Sequence, residues 1–421
     1  MARSRPNLLG LGVSLGAAGA AGALGAAGLI ADRIRRREDA QLPEYASLVQ
    51  PHDHEFSVLA DDGTVLFAGI DDPASGSVTV DADGRTKPTV VLSHGYCLSS
   101  ECWVLQRRAL ARAGYRVVTW DQRGHGRSGK GPKEGYQIDQ AGRDLHAVIE
   151  SLAPEGDLAL VGHSMGGMTI MALGEQFPEV ITERTIAFGC IATSPGGLPL
   201  ANSGFTAAAG KQLLERLGPS VFTQLGKRPD LLASLLKANR DLEEFLVERY
   251  SFASPVPRSV VRLTTKMLLG TDLGVMADFV PTFDTYDKEP VLATFHHVET
   301  LVFNGTKDVL TPPQHSDRIV AAIPGAEHVL IEDGGHVIML EYPDLLNEHL
   351  LALLARAAED RIRHLDPAAK PQVTLHVTPV AKARRVRQGL RESARARRTG
   401  TSAPPVAVPA TAPPRAARAR R

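Results

Sequence analysis

Leu158-Ala159-Leu160-Val161-Gly162-His163-Ser164-Met165-Gly166-Gly167 is the stretch that decides the fold of this chain. Its first four residues are apolar and read as a buried strand, while Met168 to Gln176 is rich in helix formers. Ser164 therefore sits at a strand-to-helix turn, between Gly162 and Gly166. The turn is so sharp that side chains around the serine collide with the neighbouring strand or helix, so small residues are needed there. What it exposes is a hydroxyl at a helix N-terminus, where the helix dipole favours a developing negative charge. These are the requirements of a nucleophilic serine. His163 points away from such a turn and reads as packing.

A serine hydroxyl becomes nucleophilic only when a base removes its proton and a third group orients that base. Downstream, Thr300-Leu301-Val302-Phe303 reads as a strand, and Asp308 lies in the loop just past it. His328-Val329-Leu330-Ile331 reads as another strand, followed by Gly334-Gly335-His336, whose glycines let the loop fold over the serine. Ser164, Asp308 and His336 each follow a strand end, in the order nucleophile, acid, base. Glu332, Asp333 and Asp284 are competing acids without the strand-then-turn setting of Asp308. The transition state also needs hydrogen-bond donors for an oxyanion. The backbone N–H of Met165, directly after the serine, is one candidate. The other is the N–H of Tyr96, in the loop Ser93-His94-Gly95-Tyr96-Cys97 after the strand Thr89-Val90-Val91-Leu92. The Tyr96 hydroxyl either adds to that hole or forms a pocket wall. His94 reads as a brace for its loop rather than a second base.

With these pieces together, the chain resembles a serine hydrolase of the α/β-hydrolase superfamily, in the branch of capped esterases and lipases. The likeness rests on Ser93-His94-Gly95-Tyr96, Asp121 to Ser128, Gly162 to Gly167, Gly305-Thr306-Lys307-Asp308 and Gly334-Gly335-His336, and spans residues from about 55 to about 360. It implies cleavage of a carboxylic ester, of a lipid or another apolar acyl group, through an acyl-enzyme. The Asp121 to Ser128 segment is structural in such relatives. Members that act on epoxides or haloalkanes carry aspartate at the elbow, so Ser164 argues against both. Thioesterases and perhydrolases share the serine triad and stand as alternatives, as does a ligand-binding member without catalysis.

Cys97, Cys102 and Cys190 form no metal-ligand pattern, and free thiols are expected. No glycine-rich phosphate loop is present, and the mechanism asks for no cofactor and no metal. The formal charge of zero hides an asymmetry. From Lys382 to Arg421 twelve Lys and Arg face a single acid, Glu392, which makes this stretch +11 and the remainder −11. Interrupted by five prolines, such a segment cannot bury a core and reads as a disordered tail. Anionic lipid is its expected partner, beside a plain solvated tail, with nucleic acid well behind.

At the other end, Leu8 to Ile30 is 23 residues without a charge. As a helix it would be roughly 34 Å long, enough to cross a hydrocarbon core of about 30 Å. Arg33, Arg35, Arg36 and Arg37 follow it, against Arg3 and Arg5 before it, which favours an uncleaved single-pass anchor with the enzyme on the cytoplasmic side. A secretory signal cleaved near Ala18-Gly19-Ala20 is the rival. Between these ends, strands alternate with helices, which implies an α/β fold: a mostly parallel sheet covered on both faces. Ile138 to Leu152 is one such helix, with Asp144 and His146 expected on its solvent side. The expected organisation is an N-terminal flank (1–7), a transmembrane helix (8–30), a linker (31–54), a first core part (55–197), a helical cap between strands 6 and 7 (198–295), a second core part (296–364) and the basic tail (365–421). Lys211 to Leu217, Leu231 to Asn239 and Leu242 to Tyr250 carry the helical spacing of the cap. Such a cap excludes water from the reaction and shapes an acyl pocket.

Overall fold

The computed structural model describes residues 48, 50–197 and 247–379. Nine strands among them form one sheet: β1 (His54–Leu59), β2 (Val65–Asp71), β3 (Thr89–Ser93), β4 (Val117–Trp120), β5 (Leu158–His163), β6 (Thr185–Ile191), β7 (Glu299–Gly305), β8 (Glu327–Ile331) and β9 (Val373–Val377). Their order is β1-β2-β4-β3-β5-β6-β7-β8-β9. Only the β1–β2 and β2–β4 pairs are antiparallel; every pair from β4 to β9 is parallel. Asp61-Asp62-Gly63 turns the β1–β2 hairpin, with Gly63 at φ 82°.

The parallel centre has no solvent face, so its strands are continuous apolar runs, and every residue of β5 is buried. Alternate side chains feed two cores. On one side Val90, Leu92, Ala159, Val161, Leu301 and Phe303 pack with helices α1 (Val104–Arg112) and α8 (Pro343–Arg363). On the other, Val91, Leu160, Phe188 and Val302 meet α2 (Ile138–Leu152), α3 (Met165–Gln176) and α6 (Pro313–Ala322). Between β6 and β7 lie α4 (Arg258–Gly270) and α5 (Leu273–Thr285), and after β8 comes the short α7 (Ile338–Glu341). A third cluster joins Val275, Phe279 and Phe283 of α5 to Tyr136, Met165 and Met168, with Tyr96 packed against it.

Several expectations change. Asp144 is fully buried rather than on the solvent side of α2. The Arg123 guanidinium, itself buried, binds both Asp144 oxygens at 2.7 Å and reaches Asp62 at 2.7 Å, so the charge goes inside because it is paired. His146 is half-buried and stacks on Phe177 at 3.8 Å. The core does not stop at residue 364, because β9 extends the sheet by pairing with β8 within the stretch read as tail. At the end of the expected linker, Arg107 binds the carbonyl of Gln50 and the carboxylate of Asp71. Cys97, Cys102 and Cys190 are buried free thiols.

The single-pass membrane anchor is also corrected. Among the described residues no helix is long and apolar enough to cross a membrane. The 21-residue α8 has the length, but it carries Asp344, Glu348, Arg356, Glu359, Asp360, Arg361 and Arg363. Residues 8–30 and 382–421, on which anchor and tail rested, lie outside the described residues, as do the expected cap helices at 211–217 and 231–239 and most of that at 242–250. Membrane anchoring and a membrane-lipid partner have no support among the described residues.

Candidate active site

Ser164 follows the last residue of β5 and caps α3, at φ 51° and ψ −118°. That backbone is strained for a residue with a side chain, at a cost of about 1–3 kcal/mol, and persists only where its surroundings hold it. The Ser164 N–H donates to the Ile191 carbonyl at 3.0 Å, and the Thr193 hydroxyl donates to the Ser164 carbonyl at 2.6 Å. The glycines are there for want of space. A β-carbon on Gly166 would come 2.1 Å from the Ser93 carbonyl oxygen, and one on Gly162 would come 2.4 Å from the Gly167 nitrogen.

Asp308 and His336 lie in the loops after β7 and β8, at the same carboxyl edge of the sheet. His336 Nδ1 stands 2.9 Å from Asp308 Oδ2, and its Nε2 stands 3.0 Å from Ser164 Oγ. A carboxylate only accepts, so Nδ1 carries the proton and donates to Asp308, which leaves the Nε2 lone pair facing the serine hydroxyl. Asp308 and His336 are buried, while Ser164 remains partly accessible. The structure thus brings together the three side chains expected from the sequence.

Further residues hold this arrangement. Asp308 Oδ1 accepts from the N–H groups of Leu310 and Thr311 at 2.9 Å each, and Oδ2 accepts from the Thr311 hydroxyl at 2.8 Å. Asn304 Nδ2 donates to the Thr311 carbonyl at 3.0 Å, which ties the acid loop to the end of β7. His163 Nε2 donates to the His336 carbonyl at 2.9 Å. Burial and the nearby His336 ring hold its imidazole well below the usual histidine range, so it stays neutral. His163 therefore does more than pack. Thr311 and Asn304 have no signal in the sequence, because a threonine three residues past an aspartate is commonplace.

The two backbone donors expected for an oxyanion flank Ser164. Met165 opens α3, so its N–H has no carbonyl within the helix to bind. The loop carrying Tyr96 touches the elbow: a β-carbon on Gly95 would come 3.1 Å from the Ser164 β-carbon. The Tyr96 hydroxyl is engaged elsewhere, donating to the Met276 carbonyl of α5. Its ring meets Phe279 and Phe283 edge-on, at 6.2 and 5.3 Å, as a wall rather than an oxyanion donor. His94 is a brace: Nδ1 donates to the Gly95 carbonyl at 2.7 Å and Nε2 accepts the Gln122 N–H at 2.9 Å. Burial pushes its imidazole down to about 4. Asp121 closes its own tight loop, accepting the N–H groups of Ser100 at 2.7 Å and Arg127 at 2.8 Å.

Residues 88–343 match the model of the alpha/beta hydrolase fold, and the chain belongs to that family. It is 28% identical over 274 residues, 63% of this chain and 90% of the relative, to a Synechocystis sp. protein provisionally named a non-heme chloroperoxidase. A bifunctional esterase/perhydrolase of Acinetobacter calcoaceticus is 32% identical over 122 residues, 27% of this chain and 44% of that one. Among solved structures, a bromoperoxidase from Bacillus anthracis superposes with a TM-score of 0.56 at 24% identity, over 72% of this chain and 99% of its own. At that identity the likeness shows the fold alone. The relatives of this fold are esterases, hydrolases, perhydrolases and peroxidases.

Proposed function

We propose that the protein is a serine hydrolase that cleaves a carboxylic ester with an apolar acyl group. The observation that carries this reading is the unbroken hydrogen-bond chain from Ser164 Oγ through His336 to Asp308. Ser164 Oγ attacks the ester carbonyl as His336 Nε2 takes its proton, and Asp308 holds the Nδ1–H and stabilises the imidazolium. The carbonyl oxygen becomes an oxyanion bound by the N–H groups of Tyr96 and Met165. As the intermediate collapses, His336 protonates the departing alkoxide, and the alcohol leaves an acyl group on Ser164. Water, deprotonated by His336, then attacks the acyl-enzyme, releases the carboxylic acid and returns the proton to Ser164.

The apolar acyl group is supported by the cluster beside the elbow, where Met165, Met168, Phe279 and Phe283 pack together. The inserted helices α4 and α5 serve on this reading as the lid. Hydrogen peroxide can replace water in the second step, the perhydrolase activity named in the Acinetobacter relative. With p-nitrophenyl esters the purified protein should release a burst of about one equivalent of p-nitrophenol, then turn over more slowly. Rates should rise from acetate to longer acyl chains. Ser164→Ala should lose burst and turnover together; hydrolysis that survives in this variant sinks the proposal. Peroxide consumption against water hydrolysis at the same acyl-enzyme separates the two activities.

A further inference from the structure

Glu341, the last residue of α7, is a buried acid that takes no part in the steps above. Its side chain turns back toward His336, and its two oxygens serve two different stretches of backbone. Oε2 accepts the Gly335 N–H at 2.6 Å, directly before His336. Oε1 accepts the N–H groups of Ala253 at 3.1 Å and Ser254 at 2.6 Å, in the segment between β6 and β7. The two backbones are in close contact, since a β-carbon on Gly335 would come 2.6 Å from the Ala253 nitrogen. On the other side of His336, the Val337 N–H donates to the Ser251 carbonyl at 2.9 Å. The imidazole thus hangs from a short stretch of chain joined to residues 251–254 both before and after it.

We propose that Glu341 is a positioning residue that sets the His336 imidazole against Ser164 by pinning the histidine loop to the inserted segment. This rests on the serine-hydrolase reading. Only a group that accepts at both ends can make this joint, because all its backbone partners are N–H donors. A glutamine of the same size has one acceptor oxygen, and its NH2 must then face an N–H. The joint also gives the inserted segment a direct path to the chemistry, since a shift of residues 251–254 moves Gly335 with it.

Glu341→Gln decides the matter, assayed with a p-nitrophenyl ester at about pH 8.5, above the value of about 7 to which burial pushes this carboxyl. Active sites are counted with a fluorophosphonate. Per titrated site, kcat should fall about 10- to 100-fold with KM within about threefold, because misplacing a reacting group by an ångström costs rate rather than binding. Glu341→Asp keeps the charge but not the reach and carries the same expectation if the glutamine variant does not fold. Fewer titratable sites with wild-type kcat at each, or failure of both variants to fold, overturns the proposal in favour of a purely structural role. A wild-type protein that forms no acyl-enzyme at Ser164 overturns the serine-hydrolase reading and this one with it. A wild-type acyl-enzyme with Glu341→Gln unimpaired overturns this one alone.

Discussion

His336 Nε2 lies 3.0 Å from Ser164 Oγ, although 172 positions separate them along the chain. The contact is set from the far side of the ring. Both N–H groups that bind Asp308 Oδ1 are backbone donors, so Oδ2 is the oxygen left to receive the imidazole.

That division of labour predicts the effect of Asp308→Asn. The amide oxygen must take the Oδ1 position, because two N–H groups point at it, and the NH2 then faces His336 Nδ1. The imidazole is driven to the tautomer with its proton on Nε2, where it cannot accept from Ser164. Turnover of a p-nitrophenyl ester should fall about 10³- to 10⁴-fold while the thermal unfolding temperature stays close to wild type. A loss of less than about tenfold contradicts the assigned roles.

Arg123 lies against two acids, of which Asp144 is fully buried. Arg123→Met removes the partner but not the charge, and should destabilise the fold by about 3–5 kcal/mol in urea denaturation. Replacing Asp144 by leucine in the same chain should recover most of that loss, since the unpaired charge goes with it. A double variant no more stable than Arg123→Met argues that packing, not the stranded carboxylate, carries the cost.

Buried neutral histidines make the protein sensitive to acid. His94 has an ordinary value near 6.5 and is pushed down to about 4 by burial. As pH falls between those values the unfolded chain takes up the proton first. The stabilisation is therefore complete above about 6.5 and is lost as pH falls through about 4. His125, pushed down to about 3 by burial and by His94, acts in the same direction. One proton amounts to about 1.4 kcal/mol per pH unit, on the order of 3 kcal/mol across the window. In His94→Asn the slope of unfolding free energy against pH should shrink by about that one proton. An unchanged slope removes His94 from the account.

The elbow was legible in the sequence because steric demand acts locally: a buried strand, a serine among glycines and a helix follow one another within twenty residues. Asp308 and His336 were legible because parallel strands deliver their loops to one edge of the sheet. What stayed hidden depends on distant partners. Asp144 reads as a solvent residue until Arg123, 21 positions away, is seen to bind it. Glu341 binds distant backbone N–H groups, and Thr311 meets Asp308 through its own N–H as well as its hydroxyl, contacts that leave no trace in residue type. Helix α5 contains Pro281, which reads as a breaker, yet Phe279 and Phe283 bury enough apolar surface to hold it. Strand β9 is almost wholly exposed, and an edge strand lacks the continuous apolar run that marks the central ones.

The central claim is that Ser164 is the residue that becomes acylated. Fluorophosphonate treatment of the purified protein, followed by peptide mass spectrometry, addresses it directly. A single adduct is expected, on the peptide carrying Ser164, abolished in Ser164→Ala and much slowed in His336→Ala. Esterase activity that persists with Ser164 unmodified, or an adduct on another residue that accompanies loss of activity, contradicts it.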